Sequence, residues 1–246
     1  MSGHHSTNRA PRGWCAHAPD VCPAMKPWIV LDRAPIPGGG ELTLSQRARD
    51  FAIRVGRDEL MNSMSHGSED ALARLAFAHL GARPQRHVLI GGLGMGFTLA
   101  AALRDAGTDD HLTVAELIPA VVAWNRGPLA HLAGDPLSDP RVTVHIGDVA
   151  ELLRSQRAAY DLILLDVDNG PSALTTDANH WLYGATGLSA AFAALRAAGV
   201  LALWSAGNDP AFTKRLRATG FKVELAEARA HGNRGSRFPI WLAMRT

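Results

Sequence analysis

From His87 to the C-terminus, short apolar runs alternate with stretches of helical spacing, and this alternation is the strongest pattern in the chain. Val88-Leu89-Ile90 suits a strand covered on both faces, and residues 97–103 are a helix-forming run that ends near Gly107. Residues 111–117, 142–146 and 160–165 read as three further strands. After them come a strand over 200–204, a helix over 210–219, a strand near 222–225 and a last strand over 239–244. Such alternation predicts an α/β fold, an open and mostly parallel sheet with helices on both faces.

Upstream the period changes. Residues 68–80 read as a helix with Ser68 as its N-cap and Leu72, Leu75, Ala76 and His79 along one face. Before it, the runs ELTLSQR, DFAIRVG and DELMNS, separated by turn-compatible residues, predict a small antiparallel β element. Such an element is too small to stand alone, so it must pack on the main domain or on a second subunit. Residues 1–24 carry Pro, His, Ser and Gly without apolar periodicity and read as a disordered tail. The expected organisation is therefore a tail over 1–24, a β element over 25–67 and an α/β domain over 68–246.

Composition narrows the class. With 246 residues and 47% hydrophobic content, the chain can bury one full core, as a modest enzyme domain does. The formal net charge is +2 and Lys and Arg form no stripe, so no nucleic-acid partner is expected. No apolar stretch reaches the length of a membrane span and no signal-peptide core is visible, which places the expectation in the cytoplasm. Cys15 and Cys22 are too few for a disulfide framework, and with His4, His5 and His17 they match no standard zinc spacing. No metal is expected.

Between the first strand and its helix lies Gly91-Gly92-Leu93-Gly94-Met95-Gly96. Glycines let a chain turn sharply and bring a ligand against main-chain N–H groups at a helix N-terminus. Counting GxGxxG from Gly92 puts Phe97 where a dinucleotide site needs its third glycine. The GxGxG spacing instead suits S-adenosyl compounds. Glu116 follows roughly twenty residues later at a strand end, where an acid can hold ribose hydroxyls. The next strand ends in Gly147-Asp148, an acid placed to accept from an adenine amino group, and the one after it in Asp166. Glu116 and Asp148 also read as N-caps of the helices that follow them. Gly91, Gly92, Gly94, Gly96, Glu116, Leu117, Asp148, Val149 and Asp166 form the expected cofactor-binding set, with S-adenosylmethionine as cofactor.

Transfer from a sulfonium asks little of a protein: a nucleophile held in line, with its proton removed. Asp166 is the candidate to orient or deprotonate it, with Asp168 and Asn169 as polar neighbours and His66 as a base over the crevice. Each has a plainer reading. Asp166 can hold a ligand amino group without base duty, Asp168 and Asn169 can form an Asx turn before Gly170-Pro171, and a lone loop histidine can be solvated. Trp181, Tyr183 and Trp204 read as packing residues near the same edge, and His180 belongs to a loop able to close over substrate.

The runs VLIGGLGMGFT, VAELIPAVV, DPRVTVHIGDVAELL, YDLILLDVDNGP and AALRAAGVLALWS stand in the order seen in spermidine synthase-like proteins of the class I S-adenosylmethionine-dependent methyltransferase superfamily, which the chain resembles from about residue 41 onward. That resemblance implies a Rossmann-like seven-stranded sheet with its last strand antiparallel, a homodimer and an S-adenosyl ligand over the glycine turn. It implies that Glu116 meets ribose, Asp148 adenine, and Asp166 an incoming amine. The chain also departs from the spermidine synthase pattern. Leu93-Gly94-Met95 carries no acid where those enzymes have an aspartate, and Asp166-Val167-Asp168-Asn169-Gly170-Pro171 replaces aspartate-serine-serine-aspartate-proline. The expected tyrosine is missing near Ser68-Glu69-Asp70. A diamine calls for separated anionic anchors, so these departures favour methyl transfer from intact S-adenosylmethionine to a small nucleophile. The alternatives are aminopropyl transfer from the decarboxylated donor and a non-catalytic S-adenosyl-binding protein.

Overall fold

The computed structural model describes residues 26–167, 181–231 and 234–246. The tail over 1–24, with Cys15 and Cys22, lies outside them, as do Asp168, Asn169 and His180. Two sheets organise the described residues. The first joins β1 (Ile29–Pro35), β2 (Glu41–Arg47), β3 (Asp50–Val55) and β4 (Asp58–Asn62) in sequence order, all antiparallel. The three expected runs are β2, β3 and β4. β1 has no counterpart among them, because Ile29, Val30 and Leu31 are all exposed and show no alternation. Backbone pairing to β2 holds that strand in place.

After α1 (Gly67–Leu80) come β5 (His87–Gly91), α2 (Phe97–Asp105), β6 (His111–Glu116), α3 (Pro119–Arg126), β7 (Val142–Ile146), α4 (Val149–Ser155) and β8 (Tyr160–Leu165). α5 (Ala185–Ala194), β9 (Leu195–Trp204), α6 (Pro210–Thr219), β10 (Phe221–His231) and β11 (Arg234–Arg245) complete the chain. The seven-stranded sheet runs β10-β11-β9-β8-β5-β6-β7. Pairs from β9 through β7 are parallel, and β11 is antiparallel to both its neighbours. The expected seven-stranded sheet with an antiparallel last strand is what the structure has.

Strand periodicity sorts the core onto two faces. Val88, Ile90, Leu162, Leu164, Val200 and Ala202 pack with Leu72, Phe77, Leu99 and Trp124 from α1, α2 and α3. Leu89, Ile163, Leu165, Leu201 and Leu203 pack with Leu153, Leu188, Phe212 and Leu216 from α4, α5 and α6. Each such side chain contributes about 1.5–3 kcal/mol relative to exposure. Leu42, Leu44, Phe51 and Ile53 of the small sheet join the first of these clusters. Trp124 Nε1 donates to Asp32 Oδ2 at 2.7 Å, tying α3 to β1, and this bond lowers the Asp32 pKa.

The bounds of four elements differ from expectation. α1 begins at Gly67 with His66 as N-cap, whereas the Ser68 hydroxyl donates to Glu69 Oε2 at 2.6 Å. β9 begins at Leu195, paired with Tyr160, ahead of the apolar run. β10 and β11 are longer than their apolar segments, since an antiparallel ribbon is held by backbone pairing alone.

Candidate functional site at the carboxyl edge of the sheet

The turn after β5 is a left-handed backbone segment: Gly92, Gly94 and Gly96 have φ of +90°, +53° and +83°. A Cβ on Gly92 would stand 2.5 Å from the Asp166 carbonyl oxygen, and one on Gly94 2.8 Å from Met61 Cε. At Gly96 it would lie 3.0 Å from Asn125 Oδ1, and at Gly91 2.9 Å from Leu165 Cδ2. The fold itself therefore demands these glycines. The atoms a side chain would strike belong to the protein, not only to space left for a ligand.

Each expected acid stands beside this turn. Glu116 ends β6, is 8% exposed, and accepts from Leu93 N (3.0 Å) through Oε2 and from Ile118 N (2.9 Å) through Oε1. It clamps the glycine turn to β6. Asp148 caps α4, its Oδ1 accepting from Ala150 N at 2.8 Å, as the capping reading has it. Val149 is buried and its Cγ2 would lie 3.1 Å from a Cβ on Gly91, so it supports the turn from below. Leu117 and Ile146, at the ends of β6 and β7, are 43% and 54% exposed. They leave an apolar surface between Glu116 and Asp148.

Asp166 follows β8; its N–H donates to Gly91 O at 3.0 Å and its Oδ2 accepts from Thr98 Oγ1 at 2.6 Å. Burial pushes its carboxyl up to about 7, the neighbouring Glu69 carboxylate adds to the rise, and the Thr98 bond opposes it. Glu69, in the first turn of α1, is also raised, chiefly by burial, while its bonds from Ser68 and its own backbone work against the shift. Two carboxyls thus share one region of low polarity, where ionising both at once is unfavourable. A cation resolves that conflict.

His66 precedes α1, with its ring stacked on Phe97 at 4.3 Å and 19°. Its Nδ1 lies 3.1 Å from Asp70 Oδ2, and Arg104 holds the other oxygen of Asp70. Tyr183 is buried, its hydroxyl donating to Val167 O at 3.1 Å, and Trp181 is stacked by Arg154. Trp204, at the end of β9, packs against the core with Nε1 buried and without a hydrogen-bond partner among the described residues. Glu69, Thr98 and Met61 were absent from the expected set. Only Glu69 left a trace in the sequence, as an acid in the first turn of the helix that precedes β5. Among the described residues no His, Cys, Asp and Glu cluster is spaced to hold a metal, and no helix is long and apolar enough to cross a membrane.

Sheet order, glycine turn and acid-tipped strands define the class I S-adenosylmethionine-dependent methyltransferase fold. Within it, residues 72–218 match the spermine/spermidine synthase domain, and the chain belongs to that family. The spermidine synthase of Thermotoga maritima superposes with a TM-score of 0.69 at 17% identity, covering 88% of this chain and 73% of that one. A probable spermidine synthase from Corynebacterium glutamicum gives 0.63 at 15% identity, over 88% and 80%. These likenesses are of fold. Polyamine aminopropyltransferase 1 of Streptomyces coelicolor is 38% identical over 92 residues, 37% of this chain and 17% of that one. Putrescine N-methyltransferase 3 of Nicotiana tabacum is 38% identical over 84 residues, 34% of this chain and 21% of that one. The chain thus spans about a fifth of the length of these curated relatives.

Proposed function

We propose that this chain transfers an alkyl group from an S-adenosyl donor to the nitrogen of a polyamine, with aminopropyl transfer from the decarboxylated donor as the leading reading. One observation carries it: the Asp166 carboxyl after β8 is held by Thr98 at 2.6 Å and lies within the electrostatic influence of Glu69 in the first turn of α1, a second acid where Leu93-Gly94-Met95 has none. The departures from the spermidine synthase pattern argued for methyl transfer because separated anionic anchors were missing. Glu69 removes much of that objection. Family membership and the Streptomyces relative support the same direction.

The residues present fit the donor. Glu116 stands at the end of β6 where a carboxylate can meet ribose hydroxyls, Asp148 stands at the end of the next strand for adenine, and Leu117 and Ile146 offer the apolar surface that a base needs. Bound there, the donor supplies a carbon already activated by positive sulfur. Asp166 and Glu69 hold the cationic acceptor against α2, and burial strengthens that attraction. Held in this way, a nitrogen needs only alignment and loss of a proton to attack.

Methyl transfer from intact S-adenosylmethionine is the second reading. The acid-free loop sets no carboxylate against that of an intact donor, and putrescine N-methyltransferases 3 and 4 of Nicotiana tabacum are 38% and 37% identical to this chain over 84 residues. Incubation with 1,4-diaminobutane and either donor, read by mass spectrometry, decides between them. An aminopropyl adduct is expected. A methyl adduct from intact donor alone replaces the leading reading with the second, and no adduct from either donor overturns both.

A further inference from the structure

We propose that Met61 is a specificity residue for the S-adenosyl donor: its thioether forms the wall over Gly94 along which one arm of the sulfonium lies, and it favours an arm without a carboxylate. Resting on the S-adenosyl reading above, this assignment gives the small N-terminal sheet a part in choosing the donor. Of the turn residues 91–96 only Gly92 and Gly94 are partly exposed, so a ligand laid on the turn touches these two. The place a Cβ would take at Gly92 is closed by the Asp166 carbonyl oxygen at 2.5 Å, whereas the place at Gly94 is filled by Met61, with Cε at 2.8 Å and Sδ at 2.9 Å. Met61 thus stands where residue 94 has no side chain of its own.

The backbone of β4 aims Met61 at the turn. Met61 pairs with Ile53, but the next residue of β3, Arg54, pairs with Glu59, which leaves Leu60 as an extra residue in β4. Consecutive side chains of a regular strand point to opposite faces, yet with this bulge Leu60 and Met61 both pack against the core cluster that holds Leu93 and Met95. Just beyond, Ser63 N donates to Phe51 O and Ser63 Oγ accepts from Phe51 N, both at 2.9 Å. The turn is held as firmly, because the buried Asn125 of α3 donates through Nδ2 to Gly94 O at 2.8 Å and to Val121 O at 2.9 Å. A fixed strand therefore presents a pliable tip to a fixed turn.

The chemistry of that wall is selective. A thioether packs well on methyl and methylene groups but has no hydrogen to donate to a carboxylate. Main-chain donors of the turn are engaged as well: Gly92 N donates to Ala115 O at 2.9 Å, Leu93 N to Glu116 Oε2 at 3.0 Å and Gly96 N to Leu93 O at 2.8 Å. The carboxylate on the arm of intact S-adenosylmethionine would lose water against Met61 and gain no partner from it, whereas the decarboxylated arm brings only methylenes there before its nitrogen.

Titration calorimetry with two ligands tests this without turnover. S-adenosylhomocysteine carries the carboxylate arm, 5′-methylthioadenosine lacks it, and both share the adenosyl part. The unchanged protein should bind methylthioadenosine the more tightly. Met61→Gln keeps the length of the side chain and brings an amide N–H to the wall, so it should move the ratio of the two affinities about tenfold toward S-adenosylhomocysteine, the scale of one hydrogen bond to a charged group. Met61→Ala lets water reach the carboxylate and should move the ratio the same way by a smaller factor. A ratio that stays within about twofold in both variants overturns the proposal, as does tighter binding of S-adenosylhomocysteine by the unchanged protein. Parallel loss of both ligands with a lowered melting temperature also overturns it, since Met61 would then support only the fold. If neither ligand binds the unchanged protein, the S-adenosyl reading falls and the proposal with it. Bound ligands with an unmoved ratio remove the proposal alone and leave the transfer reading standing.

Discussion

Asp166→Asn isolates the electrostatic cost of the site. The carboxyl is displaced from 3.8 to about 7, with burial the main cause and Glu69 the second. At 1.36 kcal/mol per pK unit, that displacement amounts to about 4 kcal/mol of stability withheld from the folded state when Asp166 is ionised. The sign follows from the direction. The folded protein binds this proton more tightly than the unfolded chain does, so the penalty is absent below pH 3.8, grows through the interval and is complete above pH 7. Asparagine removes the ionisation and keeps an oxygen to accept from Thr98 Oγ1. Urea unfolding of both proteins should therefore show Asp166→Asn gaining on the wild type by about 2–3 kcal/mol between pH 5 and pH 8, because titrating groups other than the coupled Glu69 cancel in the difference. A difference that stays within 1 kcal/mol over that range would refute the buried-carboxylate account. The same substitution should cost amine transfer heavily, so Asp166 would trade stability for function. Acceptor affinity in the unchanged protein should rise with pH through 7, since a bound ammonium favours the carboxylate.

Two further predictions concern the turn. Glu116→Ala leaves the Leu93 and Ile118 N–H groups without their carboxylate, so it should lower stability by about 1–3 kcal/mol together with affinity for S-adenosylhomocysteine. An unchanged melting temperature with lost affinity would mean that the clamp carries no structural weight. Gly92→Ala and Gly38→Ala share a positive φ of +90° and +92°, yet a Cβ meets Asp166 O at 2.5 Å in the first and nothing within 4 Å in the second. Backbone strain of about 1–3 kcal/mol is common to both, so Gly92→Ala should melt well below Gly38→Ala. Equal melting points would refute the close approach.

The parallel sheet was legible because Val88, Leu89, Ile90 and the β8 run Leu162-Ile163-Leu164-Leu165 are apolar at every position, the pattern of strands buried on both faces. The β1 strand was not, since its apolar residues face solvent and its pairing is written in the backbone. The acids at the strand ends were legible by position, whereas Glu69 was not. Its role depends on α1 lying across β8 and α2, a tertiary fact that no local spacing encodes.

The glycine turn was found by its spacing, and the spacing alone does not say what it is for. Three of its glycines have positive φ, and a Cβ on Gly92 would strike the Asp166 backbone, so a chain that had lost all ligand binding would still favour glycine in this turn. The acids behave differently. Among the described residues, nothing in the packing asks for Asp166 as a carboxylate, since asparagine can accept from Thr98, and Glu69 has only the adjacent Ser68 and its own backbone among its favourable contacts. Residues that raise each other's cost and satisfy no structural demand are retained for what they bind. On that ground the acid pair, more than the glycine motif that first draws the eye, is the part of this chain that argues for a cationic substrate.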